Sequence, residues 1–247
     1  HAKRVETTAT PREPRRCAIR RATPATSDLT INFLHELRKR VMPVIAVVNP
    51  KGGSGKSTLA THLAGHGASL GLPVMLGDAD RQKSTLVWLR KRSTEPLAAK
   101  APIVSWVVDS NKILRPPSNV THVVLDTPAG LHEKKLHSVL AIADRVLVPL
   151  QPSLFDIQAT HAFVQELREH KPRMKIAIIG NRVKETTVSA DHLRQFLDTL
   201  DVPVLALLRD TQLYVQLAAR GATLWDVAPS RAERDLAQWQ PILDWAK

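Results

Sequence analysis

The apolar residues of this chain fall into short continuous runs, separated by longer segments in which they recur every three to four positions. Runs at 44–48, 74–78, 103–108, 120–125, 145–149, 175–180 and 204–208 are rich in Val, Ile and Leu and read as buried strands. Helical spacing follows residue 56, where Leu59, Leu63 and Leu70 share a side, and returns at 85–92 with Leu86, Trp88 and Leu89. Further helices are expected at 133–143, from about 151 to 170, at 190–200, at 213–220 and at 231–246, the last carrying Leu236, Trp239, Ile242 and Leu243. Gly71-Leu72-Pro73 closes the first of these helices and Gly221 closes the one at 213–220. Strands alternating with helices predict an α/β fold: a doubly wound, mainly parallel sheet flanked by helices, with its ligand at the carboxyl ends of the strands.

Three strand ends carry candidate chemistry. The first run opens into Pro50-Lys51-Gly52-Gly53-Ser54-Gly55-Lys56-Ser57-Thr58, and a helix follows at once. Strand, glycine-rich turn and helix N-terminus together make a phosphate cradle, because the glycines let successive N–H groups point inward and the helix dipole adds partial positive charge. Lys56 is then placed to reach the β- and γ-phosphates and Ser57 to ligate Mg²⁺. A strict phosphate loop has Gly six residues before the lysine; here that residue is Pro50. The run at 74–78 delivers Asp78-Ala79-Asp80-Arg81-Gln82, and the run at 120–125 ends in Asp126-Thr127-Pro128-Ala129-Gly130. An apolar strand ending in Asp is the Walker B arrangement, with the carboxylate serving Mg²⁺, so Asp126 joins Ser57 as a metal candidate.

Lys51-Gly52-Gly53-Ser54-Gly55-Lys56-Ser57 resembles the deviant Walker A motif of the ParA/MinD family, and the resemblance extends over residues 42–247. It implies that Lys51 is a signature lysine that reaches the partner subunit's nucleotide across a dimer interface. It also implies that Asp80 acts on the attacking water, although Arg81 stands where the family has Pro. Backbone near Gly130 would sense the γ-phosphate. Asn181, at the end of the run at 175–180, would read the adenine edge. Basic residues after the last strand, Arg209 and then Arg220, would contact DNA. By the same resemblance the chain is a Mg²⁺-dependent ATPase. It would form a homodimer with ATP, bind DNA non-specifically in the cytoplasm at the nucleoid, and position or partition a cargo with an activating partner protein. A biosynthetic ligase of the dethiobiotin-synthetase type and a MinD-like membrane ATPase are the alternatives on the same scaffold. Beyond Arg234, Lys247 is the only basic residue of the terminal segment, so its helix reads as core-packing and not as a membrane-surface helix.

Composition narrows the picture further. A chain of 247 residues with 43% apolar content can bury one sizeable α/β core. No run approaches the ~18 apolar residues of a membrane span. The single Cys17 excludes a disulfide framework, and a cysteine-ligated metal or iron–sulfur site within one chain. The ten histidines lack metal-ligand spacing; His62 and His66 lie four apart on the first helix, where packing is the expected role. Net charge is +12, and residues 1–41 supply half of it, with ten basic against four acidic side chains. Residues 1–26 have no apolar periodicity, and 27–40 could form one short helix with Phe33, Leu34 and Leu37 on a face. The expected organisation is a basic, largely disordered N-terminal extension at 1–41 followed by a P-loop ATPase domain at 42–247.

Overall fold

The computed structural model describes residue 1 and residues 43–94, 102–108, 120, 122–131 and 133–247. The expected N-terminal extension, its helix and the boundary near residue 42 lie outside the described residues. The chain runs β1 (Val44–Val47), α1 (Lys56–Ser69), β2 (Val74–Asp78), α2 (Ser84–Thr94), β3 (Ile103–Val107), β4 (His122–Asp126) and α3 (Glu133–Ile142). It continues through β5 (Arg145–Leu150), α4 (Leu154–His170), β6 (Lys175–Val183), α5 (Val188–Leu197), β7 (Val204–Arg209), α6 (Gln212–Ala219) and α7 (Pro229–Ala246). A short 3₁₀ turn, Leu224–Asp226, joins the last two helices. The seven strands form one sheet in the order β3-β2-β4-β1-β5-β6-β7, and every pairing is parallel.

Side chains of a strand alternate between the two faces of the sheet, and both faces here are covered, which is why the strands are apolar without a polar alternation. Val44, Ala46 and Val48 of the first strand region join Leu136, Phe163, Leu167 and Leu193 in one apolar cluster. Ile45 and Val47 join Leu59, Leu63, Leu208, Trp239 and Ile242 in the other. The sheet is therefore the middle of three layers, with α1 and α7 on one side and α3, α4 and α5 on the other.

Element boundaries moved where capping and pairing outweighed periodicity. Helix α5 begins at Val188 because the Thr187 hydroxyl accepts from the Ala190 N–H at 3.3 Å, and it ends at Leu197, short of the expected Leu200. Helix α7 starts at Pro229, two residues before the expected Arg231, with proline in the first turn where its missing N–H is harmless. Strand β6 extends through Asn181 to Val183, so Asn181 lies inside a strand and not at its end. Leu70, expected on the buried side of α1, is its C-cap and is exposed. As expected, α7 packs on the core: Trp239 and Ile242 are fully buried.

Helix α7 is fixed to β7 by an ion pair as well as by apolar contact. The Arg209 Nε and a terminal nitrogen donate to the two Asp235 oxygens, each at 2.8 Å, and the Arg209 N–H donates to Gln238 Oε1 at 3.1 Å. Asp235 is fully buried while the Arg209 side chain is 30% exposed. Removing the arginine leaves a carboxylate in the core without a partner. Arg209→Ala is therefore expected to cost about 3–5 kcal/mol in chemical denaturation. A loss indistinguishable from that of an exposed arginine on α7, such as Arg231→Ala, would refute this structural role.

Candidate nucleotide site

The loop between β1 and α1 curls through two left-handed glycines, Gly53 (φ 78°) and Gly55 (φ 100°). A Cβ on Gly55 would fall 1.9 Å from the Asn181 amide nitrogen, so only glycine fits there. Neighbouring elements hold the loop open at several points. Asn181 Nδ2 donates to Ser54 O at 2.8 Å, Gln151 Nε2 to Gly53 O at 2.6 Å, and the Gly130 N–H to Pro50 O at 2.7 Å. The Lys51 N–H donates to Asn49 Oδ1 at 2.7 Å. Helix α1 has no side-chain cap and no acid in its first turn, which leaves its N-terminal N–H groups for an anion.

This loop forms one wall of a cleft of about 710 Å³ that is also lined by Lys56, Ser57, Thr58, Asp80, Arg81, Gly130, Lys135 and Arg182. Lys56 is nearly buried, and its Nζ donates to Lys51 O at 2.8 Å. Burial lowers its pKa, while the charges of Asp126 and Asp80 oppose the shift. Asp80 is half-buried on the cleft wall, with Oδ1 accepting from the Gln82 N–H at 3.0 Å. Arg81, which stands at the proline position of the resembled motif, lines the cleft beside Asp80 and Gln82.

Asp126 is 1% exposed, and neither carboxylate oxygen has a hydrogen-bond partner of normal geometry. Burial pushes its pKa up to about 7 and the charges of Asp78 and Asp80 act in the same direction, while the nearby Ser57 hydroxyl and Lys56 pull it down. A buried, unsatisfied carboxylate beside a hydroxyl is the donor set expected for Mg²⁺, so the residues present fit that ion.

Lys51 is not on the cleft wall. Its ammonium pairs with Asp156 in the first turn of α4 and lies 5.9 Å above the Phe155 ring. Asp156 escaped the sequence reading, where its only signal was an acid at the start of a helix. Asn181 is buried against the phosphate loop, and it also lines a second cleft of about 450 Å³ with Thr58, Arg182, Asp210, Gln212 and Tyr214. Arg182 lines both clefts and was likewise not foreseen. Arg220, at the C-cap of α6, is exposed. Arg209, expected to contact DNA, holds Asp235 in a bidentate pair, and its side chain remains 30% exposed on the wall of the second cleft.

His62 and His66 pack as expected. His62 stacks on Trp239 at 5.4 Å with Nδ1 2.9 Å from Thr58 O, and His66 lies 5.0 Å from the Trp225 ring. Burial pushes both down to about 4, so both are neutral near pH 7. Among the described residues, no three or more His, Cys, Asp or Glu side chains gather in a group that could hold a metal ion.

Residues 45–224 match the family model described as the CobQ/CobB/MinD/ParA nucleotide-binding domain. The chain belongs to this family. Its sequence is similar to the maintenance of carboxysome distribution protein A of Halothiobacillus neapolitanus, at 27% identity over 191 residues, covering 74% of this chain and 87% of that one. It is also similar to the protein ParA of Rhizobium radiobacter, at 30% identity over 117 residues, covering 47% of this chain and 51% of that one. Among solved structures, a Borrelia burgdorferi plasmid partition protein bound to AMPPNP shares the fold with a TM-score of 0.62 at 18% identity, covering 82% of this chain and 99% of that one. The expected fold class is thus borne out by the sheet and by the family together.

The Asp126 environment makes a pH prediction. The unfolded chain loses this proton near pH 3.8 and the folded chain only near pH 7. Between those values the folded state holds the extra proton, so ionisation erodes stability as pH rises through the window, and the loss persists above it. Asp126→Asn cannot ionise. Relative to wild type, it should gain on the order of a few kcal/mol between about pH 4 and pH 8 in metal-free, nucleotide-free denaturation. A difference that does not change with pH would refute the raised pKa.

Proposed function

We propose that this chain is an ATPase that positions or partitions a cargo by alternating between an ATP-bound dimer on DNA and a released ADP form. The observation that carries this reading is one cleft lined by Lys56, Ser57 and Asp80 beside the buried Asp126, with a second lysine of the same loop, Lys51, paired with Asp156. The backbone of Gly52, Gly53, Ser54, Gly55 and Thr58 would cradle the phosphates, with Gly130 beside the terminal one. Ser57 and Asp126 would hold Mg²⁺, which supplies charge neutralisation for the transferring phosphoryl group. Lys56 must leave the Lys51 carbonyl to bind the phosphates, and Asp80 orients the attacking water.

Lys51 would exchange Asp156 for the partner subunit's nucleotide when two copies meet. The second cleft, with Asn181 on its floor, would take the base. No helix among the described residues is long and apolar enough to cross a membrane. Its relatives include a protein named for carboxysome distribution and one named ParA, which supports a cargo-positioning role over a biosynthetic ligase. An activating partner and residence at the nucleoid belong to the same reading.

Asp80→Ala should bind ATP as wild type does but hydrolyse it ~10²-fold more slowly, and should accumulate as a dimer on a sizing column. A monomer at saturating ATP and Mg²⁺ would refute the dimer. The DNA step is tested by salt titration of the full chain on non-specific duplex. Pairing two basic faces should tighten binding about tenfold or more with ATP over ADP, and should steepen the salt slope of about −0.9 per neutralised phosphate. Arg220→Glu should weaken the ATP-dependent part. Equal binding with ATP and ADP would assign the affinity to the positive charge of residues 1–41 and refute a nucleotide-gated DNA step.

A further inference from the structure

Among the described residues, two non-glycine residues have left-handed backbone, Lys83 (φ 53°) and Arg182 (φ 55°). This conformation is disfavoured for a residue with a Cβ and persists where the surroundings hold it. Lys83 closes the loop that carries Asp80 from β2 to α2. Its Nζ reaches back to donate to Asp78 O at 2.8 Å, and its N–H donates to Asp80 O at 3.2 Å. Its own carbonyl accepts from the Val87 N–H at 3.0 Å, the first helical bond of α2.

Asp78 reaches the other way. It is fully buried; Oδ1 accepts from the Asp80 N–H at 3.0 Å, and Oδ2 accepts from the N–H groups of Thr85 and Leu86 at 3.0 and 3.2 Å. Asp78 does not line the cleft, so the two acids of Asp78-Ala79-Asp80 divide their work: one faces the loop from inside, the other faces the cleft. Next to them the Ala79 N–H donates to Asp126 O at 3.0 Å, which ties the start of the loop to β4. A proline before Gln82 would stiffen this loop by fixing φ, but Arg81 has no such restriction.

We propose that Asp78 and Lys83 form a two-way brace that holds Asp80 over the phosphate cleft, making them positioning residues for ATP hydrolysis. The proposal rests on the reading of Asp80 as the water-orienting acid. A brace acts on the geometry of the reacting groups and not on the grip on the phosphates. Its loss therefore lowers kcat and leaves ATP affinity and KM in place, and a misplacement of about 1 Å can cost as much as ~10²-fold.

The test compares basal hydrolysis, ATP binding and thermal melting of the full chain as wild type, Lys83→Ala, Lys83→Gly, Lys83→Arg, Asp78→Asn and Asp80→Ala. Lys83→Ala should lower kcat about tenfold or more with KM unchanged. Lys83→Arg keeps a donor of sufficient reach and should recover most of the loss. Lys83→Gly accepts the backbone conformation without strain, so it should melt above Lys83→Ala and still hydrolyse slowly. That split separates the ammonium from mere loop stability, and it stands even if Asp78→Asn fails to fold. Wild-type kcat in both Lys83→Ala and Lys83→Gly, or a raised KM at constant kcat, would overturn the brace, as would an arginine that recovers nothing. If Asp80→Ala itself hydrolyses at the wild-type rate, the reading of Asp80 fails and takes the brace with it. An inactive Asp80→Ala beside fully active Lys83 variants sinks the brace alone.

Discussion

The register of three parallel strands is the constraint on which the rest of this structure depends. Val47 of β1 and Asp78 of β2 are each in register with Asp126 of β4, so the three strands stop on one line. The phosphate loop, the Asp80 loop and the segment from Thr127 to Gly130 therefore leave the sheet side by side and have to share one cleft. A one-residue slip in any of these strands would exchange its side chains between the two packed apolar clusters, so the packing on both sheet faces also fixes the chemistry at the strand ends. Cross-strand bonds lock the junctions: the Thr127 hydroxyl donates to Val47 O at 2.8 Å, and the Ala79 N–H donates to Asp126 O at 3.0 Å.

That convergence puts charge where burial opposes it. Asp126 is held toward its protonated form and Lys56 toward its neutral form, both mainly by desolvation. The first residues of α1, which no side chain caps, line the same cleft. A polyanion with a divalent cation would offset these costs, which couples ligand binding to folding free energy. Within the loop, Lys56 donates to a main-chain oxygen and Lys51 pairs with Asp156.

The positive balance of the chain is only partly available to a polyanion. Arg209 pairs with Asp235, and Arg92 makes a bidentate contact with Asp226 at 2.7 and 3.0 Å and also donates to Gly221 O. These pairs stitch α2, the 3₁₀ turn and α7 to the sheet around an aromatic group of His62, Trp225, Trp239 and Tyr214, with Trp239 Nε1 donating to the Tyr214 hydroxyl at 3.0 Å. Counting arginines along the chain cannot separate such internal cations from surface ones, because the partner acid lies 26 residues away for Arg209 and 134 for Arg92.

The sequence by itself determined the order of strands and helices, the parallel α/β architecture and the positions of the phosphate loop, Asp80 and Asp126. These follow from local rules: apolar run length, helical spacing, glycine in a turn, and an acid at a strand end. Asn181 and Arg209 show the limit of such rules. Each was legible as a polar residue near the carboxyl end of a strand, yet Asn181 braces Ser54 and Arg209 neutralises Asp235, partners 127 and 26 residues distant. The same holds for Asp156 as the partner of Lys51, and for the left-handed turn at Lys83, which no glycine announced. Only the tertiary structure decided them, because a side chain's role depends on which donors and acceptors packing brings within about 3 Å, and periodicity along the chain carries no record of that.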